Sequence, residues 1–311
     1  SPMFNEEELK SEKGNVKAEL TGYMNDYARL LWPRLQKAIG EEVPNLKERL
    51  ATINNIELKD IREHYRRTHT AKNMRFIIAG QIKHRKKEIL RNLEDWDLKE
   101  GRRFEIPKDK LHSSPAVLVK RKDASNITFG FSMVTPRRLS IQETQAMGAL
   151  NHILNGTMSS RIFGQARKRG LVYGMGSGIN SSKHYSSWDF DGEVNLETAD
   201  ELFSLIQVEM VRALNGEISD EEIEAVKTYA QGRYQMGAQT VSQISDYYTD
   251  DYFMTEKVEL YDDFPQVIKE INKPSIVELA REFAGSGIHA FVAVGSVEKA
   301  VINQLAESLN F

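Results

Sequence analysis

The chain has 311 residues, a formal net charge of −3 and no cysteine, which excludes disulfide staples, thiolate metal ligands and cysteine nucleophiles. Its 40% hydrophobic and 28% charged residues are the composition of a folded globular protein of about two domains, neither disordered nor fibrous. No apolar run approaches the roughly 18 residues of a membrane span, and the opening SPMFNEEELKSEK is too acidic and polar for a signal peptide. A soluble protein is expected; the sequence does not fix its compartment, with the cytoplasm the favoured one.

The small net charge conceals an asymmetry. Between Lys59 and Lys122 there are 19 Lys/Arg against 9 Asp/Glu. These charges are spread over apparent helix, strand and linker without interleaved aromatics or a glycine-rich nucleic-acid signature, so they read as solvated faces and no nucleic-acid partner is expected.

From Asn5 to Ile39 apolar residues recur at spacings of three, four and seven, which predicts a helix that Pro33 kinks or ends. Glu12 and Glu19 lie seven residues apart on it, so both carboxylates share one face. A second helix is expected from Glu57 to Arg66, then a buried strand over 74–80 (MRFIIAG), then helix again from Lys83 to about Trp96. Residues 97–115, with Gly101, Pro107 and Pro115, form the best linker. Beyond it come short strands at Val117–Val119 and over NITFGFSMV. Three Ser/Thr-x-x-Glu helix starts follow at Ser140, Thr198 and Ser219.

Between the first two starts lies MSSRIFGQARKRGLVY, read as a short helix delivering the chain into a strand. Arg167 and Tyr173 then sit near one helix-to-strand junction, where fixed guanidinium donors and a phenolic hydroxyl suit a substrate carbonyl gaining charge. A hairpin turning around Asn180–Ser182 returns through SWDFDGEV, whose alternation gives one buried and one acidic face. Helices over 198–214 and 219–255, the latter bent near Gly232 or Gly237, precede a closing helix, strand and helix.

An internal repeat relates the two halves. INNIELKDIREHY (53–65) followed by FIIAG (76–80) matches INKPSIVELAREF (271–283) followed by FVAVG (291–295). Two copies imply duplicated domains rather than a solenoid, and the shorter lead-in to the first copy implies that the first domain is truncated.

At three places the chain resembles the pitrilysin/insulinase family of zinc metallopeptidases, which includes mitochondrial processing peptidase and its bacterial relatives. These are the opening SPMFNEEELKSEKGNVKAEL, the segment RIFGQARKRGLVY and the paired closing units. The resemblance implies an α+β fold of the LuxS/processing-peptidase-like type. It would have two related domains of antiparallel or mixed sheet packed with helices: a remainder of the metal-bearing domain (1–97), a linker (98–115) and a substrate-binding domain (116–311). It also implies that Glu19 is the third zinc ligand, Glu12 its supporting carboxylate, and Arg167 and Tyr173 the pair that contacts substrate and oxyanion.

Two departures qualify these roles. The family separates that arginine and tyrosine by seven residues. Here the separation is six, and Ala166 stands at the seven-residue position. Either one residue is deleted and Arg167 serves, or the arginine role is lost; the unbroken match from Arg161 to Arg167 favours the first. The HxxEH motif, which supplies two histidine ligands and the base, is absent from these 311 residues. The resemblance therefore implies part of a zinc-dependent endopeptidase that binds extended peptides between two domains and is incomplete alone. Its partners would be a peptide, an HxxEH-bearing segment or subunit, and a second copy or other chain in a dimer. The alternative is a non-catalytic substrate-binding or assembly subunit of a heterodimeric peptidase.

Overall fold

The computed structural model describes residues 4–311, apart from the side chain of residue 251. Helices α1 (Glu6–Tyr23), α2 (Tyr27–Ala38), α3 (Leu46–Thr52), α4 (Leu58–Thr68) and α5 (Lys86–Glu94) precede the first strand. Then come β1 (Val117–Lys120), β2 (Ile127–Thr135), α6 (Ile141–Asn155), α7 (Phe163–Lys168), β3 (Val172–Ser181), β4 (Ser186–Val194) and α8 (Ala199–Leu214). The chain closes with α9 (Asp220–Met236), α10 (Val241–Thr255), α11 (Phe264–Glu270), α12 (Lys273–Gly285), β5 (His289–Gly295) and α13 (Lys299–Glu307). It is a mixed α+β fold.

The five strands form one sheet in the order β1-β5-β2-β4-β3. Only β1 and β5 run parallel; the other pairs are antiparallel. Strand alternation sorts the side chains of β2 and β4 onto two faces. On one face Phe131 stacks on Phe190, its cross-strand partner, at 4.5 Å, and Phe129 meets Phe203 of α8 edge-on at 5.0 Å. That face, with α6, α8 and α12, holds the main core.

The other face carries Val134, Val292 and Val294, and α2 covers it with Leu31, Leu35 and Ala38. The contact is close because Gly130 has no side chain: a Cβ there would come within 3.0 Å of the Leu31 Cδ2. With both faces covered, every residue of β2 is buried. Burying Leu31 and Leu35 contributes roughly 1.5–3 kcal/mol each.

Several sequence expectations need correction. The long first helix does not run through to Pro33. It stops at Tyr23, and Asp26 caps a new helix by accepting the Arg29 N–H at 3.1 Å. Arg121 fixes this break by donating to the Met24 carbonyl at 2.8 Å, while Pro33 sits inside α2. Ser140 and Ser219 form full capping boxes, but Thr198 ends a short 3-10 turn and its side chain caps nothing. The hairpin turns at 182–185, slightly later than expected.

The largest correction concerns residues 74–80, which are not in a strand. Among the described residues no backbone N–H from Arg75 to Gly80 has a hydrogen-bond partner, and Phe76 and Ile78 are each 44% exposed. The sequence there favours a strand, but a strand needs neighbours, and no other strand lies within 4–116.

Candidate functional site

The junction between α7 and β3 is built by burial on one side and exposure on the other. Ala166, Leu171 and Val172 are buried, and the Leu171 N–H donates to the Ala166 carbonyl at 2.9 Å. Gly170 makes this return with a φ of +71°, a left-handed conformation that a side chain would oppose. The chain thereby reverses tightly, and the residues on either side of the apolar hinge are brought together on the outside.

Those residues are Arg167 and Tyr173. The Arg167 guanidinium lies 4.5 Å from the Tyr173 ring centroid, in a cation–π contact. Tyr173 is 86% exposed. The position seven before Tyr173, Ala166, points into the core with no exposure. At this hinge it is therefore the six-residue spacing that brings an arginine onto the tyrosine. Tyr173 belongs to β3, an outer strand of the sheet that pairs only with β4. At the far end of β3, Ile179 and Ser181 border a groove of about 760 Å³ whose opposite wall includes Tyr247, Tyr248 and Tyr252 of α10.

Glu12 and Glu19 are both exposed on α1. Glu19 accepts the Tyr23 hydroxyl proton in a hydrogen bond that raises the Tyr23 pKa. A zinc ion needs three or four converging ligands, and among the described residues no group of three or more His, Asp or Glu side chains converges. The residues present do not by themselves fit the metal. Three of the seven histidines are engaged elsewhere: His69 stacks on Tyr65 at 4.2 Å, His152 stacks on Tyr229 at 4.1 Å, and His184 pairs with the Ile106 carbonyl at 3.1 Å.

One polar cluster was only half legible. Asp189, expected on a solvent-facing acidic stripe, is buried and accepts hydrogen bonds from Ser132 at 2.5 Å, Ser187 at 2.6 Å and Asn180 at 2.8 Å. Burial holds its carboxyl above the usual range. Asp191 is raised by burial and by the charge of Asp189. Nearby Glu41, raised by burial, accepts the Tyr185 hydroxyl, which ties the loop after α2 to the β3–β4 turn. Strand alternation put these carboxylates on one face; only the packing of the first region against the sheet buries them.

The peptidase M16 inactive domain matches residues 55–229. The chain belongs to the M16 peptidase family. An uncharacterized zinc protease of Bacillus subtilis, YmxG, is 22% identical over 290 residues, spanning 90% of this chain and 68% of the relative. Among solved structures, a protease from Helicobacter pylori is 18% identical with a TM-score of 0.80, covering 94% of this chain and 73% of that one. The peptidase M16 inactive domain of Pseudomonas fluorescens is 16% identical with a TM-score of 0.81, covering 96% and 72%. At these identities the solved structures show the shared fold. The M16 fold thus accounts for the mixed sheet and its helices. No helix of the described residues is long and apolar enough to cross a membrane.

Proposed function

We propose that this chain is the peptide-holding part of an M16-type zinc endopeptidase, catalytically incomplete until an HxxEH-bearing segment joins it. The observation that carries this reading is the exposed Arg167–Tyr173 pair at the start of an open sheet edge. Burial does not account for a tyrosine left 86% exposed, whereas a phenolic hydroxyl on a ring held by a guanidinium is suited to bind a peptide carbonyl. An extended peptide lies along the outer edge of β3, its backbone pairing with the strand and its far end reaching the tyrosine-walled groove. The resemblance implies that an edge strand of the first domain aligns the peptide in the same way; residues 4–116 hold no strand, so such an edge would come from the part of the family's length that this chain does not span. Glu19 contributes one carboxylate to a metal site whose remaining ligands come from the HxxEH segment, with Glu12 supporting it.

The test is fluorescence anisotropy with a panel of labelled unstructured peptides, paired with zinc analysis of the whole gene product or its complex. Peptide binding by the chain that falls at least tenfold in Tyr173→Ala, and zinc lost in Glu19→Gln of the complete protein, are the expected results. Peptide binding indifferent to both Arg167 and Tyr173 would remove the site assignment. A complete assembly that binds peptide but carries no zinc would leave the non-catalytic substrate-binding or assembly subunit as the function.

A further inference from the structure

Where the linker meets the β3–β4 turn there is a cleft of about 230 Å³, separate from the Arg167–Tyr173 pair. Four cations line it, Lys72, Arg75, Arg103 and Lys183, and among the described residues no carboxylate does. Its apolar walls include Phe104 of the linker and Phe253 of α10, 39% and 52% exposed. Gathered like charges repel one another, and rings left in water forgo the gain of burial. Neither feature serves the stability of the chain.

The cleft is nevertheless held in shape. The Ala71 N–H donates to the Lys99 carbonyl at 2.9 Å and the Phe104 N–H to Asn73 Oδ1 at 2.7 Å, which fixes the linker beside the end of α4. Gly101, at a φ of +64°, lets the linker approach so closely that a Cβ there would lie 2.3 Å from the Thr70 Cβ. The His184 ring pairs with the Ile106 carbonyl, so the β3–β4 turn brings Lys183 to the same place. The cations are only partly neutralised from within. Lys72 pairs with Glu100 at 2.6 Å, and Glu256 bridges Arg75, at 2.9 Å, and Arg103. Among the described residues Lys183, half-buried, has no hydrogen bond or ion pair.

The geometry points to a subsite for the C-terminal residue of a peptide, its α-carboxylate on Lys183 and Arg103 and an apolar side chain between Phe104 and Phe253. Only a terminal residue carries a carboxylate and an apolar group together; an internal Asp or Glu has no apolar group to place between the rings. The volume suits one residue, being smaller than the roughly 300–1,000 Å³ of pockets that enclose a drug-sized ligand. The inference takes peptide as the ligand class from the peptide-holding reading and rests on it to that extent. Tyr173 and Lys183 are separated by about 30 Å of extended chain, so a short peptide reaches the cleft without touching Tyr173.

Anisotropy with a labelled tetrapeptide ending in Phe, made as the free acid and as the C-terminal amide, tests the subsite by itself. The acid is expected to bind at least tenfold more tightly, with the advantage shrinking as salt is raised. Lys183→Gln and Arg103→Gln should each reduce that advantage, and the double variant should lose it while keeping the thermal midpoint of the parent. Equal binding of acid and amide overturns the subsite, as does an acid preference that survives both substitutions. Displacement of the acid by inorganic phosphate as readily as by N-acetylphenylalanine would also overturn it, since the cleft would then hold any anion. The Arg167–Tyr173 reading fails in a different way. A peptide long enough to reach both places whose affinity ignores Tyr173→Ala removes that reading, while the tetrapeptide keeps its acid preference. A long peptide that depends on Tyr173 but binds equally as acid and amide removes the cleft instead.

Discussion

The two copies of one helix-strand unit show how much of a strand resides outside its own sequence. FIIAG and FVAVG are close in length, apolarity and β-branching, yet one is the buried centre of a sheet and the other has no ladder at all. β-Propensity reports fitness for a pleated, half-buried surface, and where that surface is not assembled the propensity has nothing to act on. Helices bond within themselves, so α4 and α12 both form; strands bond to others, so only β5 does.

The sharpest way to break this comparison is to put the same charge into each copy. Val292→Asp buries a carboxylate between two strands and should destabilise the chain by about 4 kcal/mol or more, enough to unfold it. Ile77→Asp should change the stability of the same chain by less than about 1 kcal/mol. Urea unfolding followed by circular dichroism measures both; equal losses would mean that 74–80 is already packed like β5. A smaller contrast is expected one element earlier. Phe283→Ala leaves a cavity in the main core and should cost about 3–5 kcal/mol. Tyr65→Ala, made on a half-buried side chain that stacks on His69 and meets Phe4 edge-on, should cost about 1 kcal/mol.

The region before the linker is not idle, because it covers the second face of the sheet, and Asp189 reports that cover. Burial raises its carboxyl above the ordinary 3.8. The folded state therefore holds its proton more tightly than the unfolded state does. The stability this contributes is complete below pH 3.8 and is lost as pH rises through the raised folded value. Wild type should accordingly fall in stability relative to Asp189→Asn as pH rises across that window. Urea midpoints of the two proteins, measured at matched pH values, check the sign. A difference that grows in the opposite direction would mean that the hydrogen bonds from Ser132, Ser187 and Asn180 outweigh burial, and no pH dependence would place Asp189 in a solvated environment.

The sequence was most readable where structure is local. Ser140 and Ser219 with their glutamates mark helix starts because the capping bonds span only three residues, and the alternation of β2 and β4 sorts their two faces correctly. It was least readable where a long-range partner decides the outcome. Nothing near Asp189 announces that Glu41, far away in the chain, will be found beside the same sheet face. The break at 24–26 had a local signal in Asp26 that the stronger-looking Pro33 obscured. At the candidate site, the ARKRGLVY segment contains the hinge glycine, the arginine and the tyrosine, so their meeting was legible. The orientation of Ala166 into the core was not, because it depends on how α7 packs.

Exposed aromatics occur in both regions, and the smallest stability effects belong to them. Phe76 and Tyr173 are 44% and 86% exposed, so Phe76→Ser and Tyr173→Ala should each shift the stability of the chain by no more than about 0.5 kcal/mol. Their functional consequences should separate. Tyr173 lies at the end of a formed strand, with Arg167 already on its ring, so its loss should weaken peptide binding and leave assembly intact. Phe76 lies in a segment outside the sheet and packs edge-on against Trp96, so its loss should leave the peptide affinity of the chain unchanged. Anisotropy on the same two variants measures this separation. If Phe76→Ser lowered peptide affinity in the chain alone, the apolar surface of the first region would itself be holding the peptide.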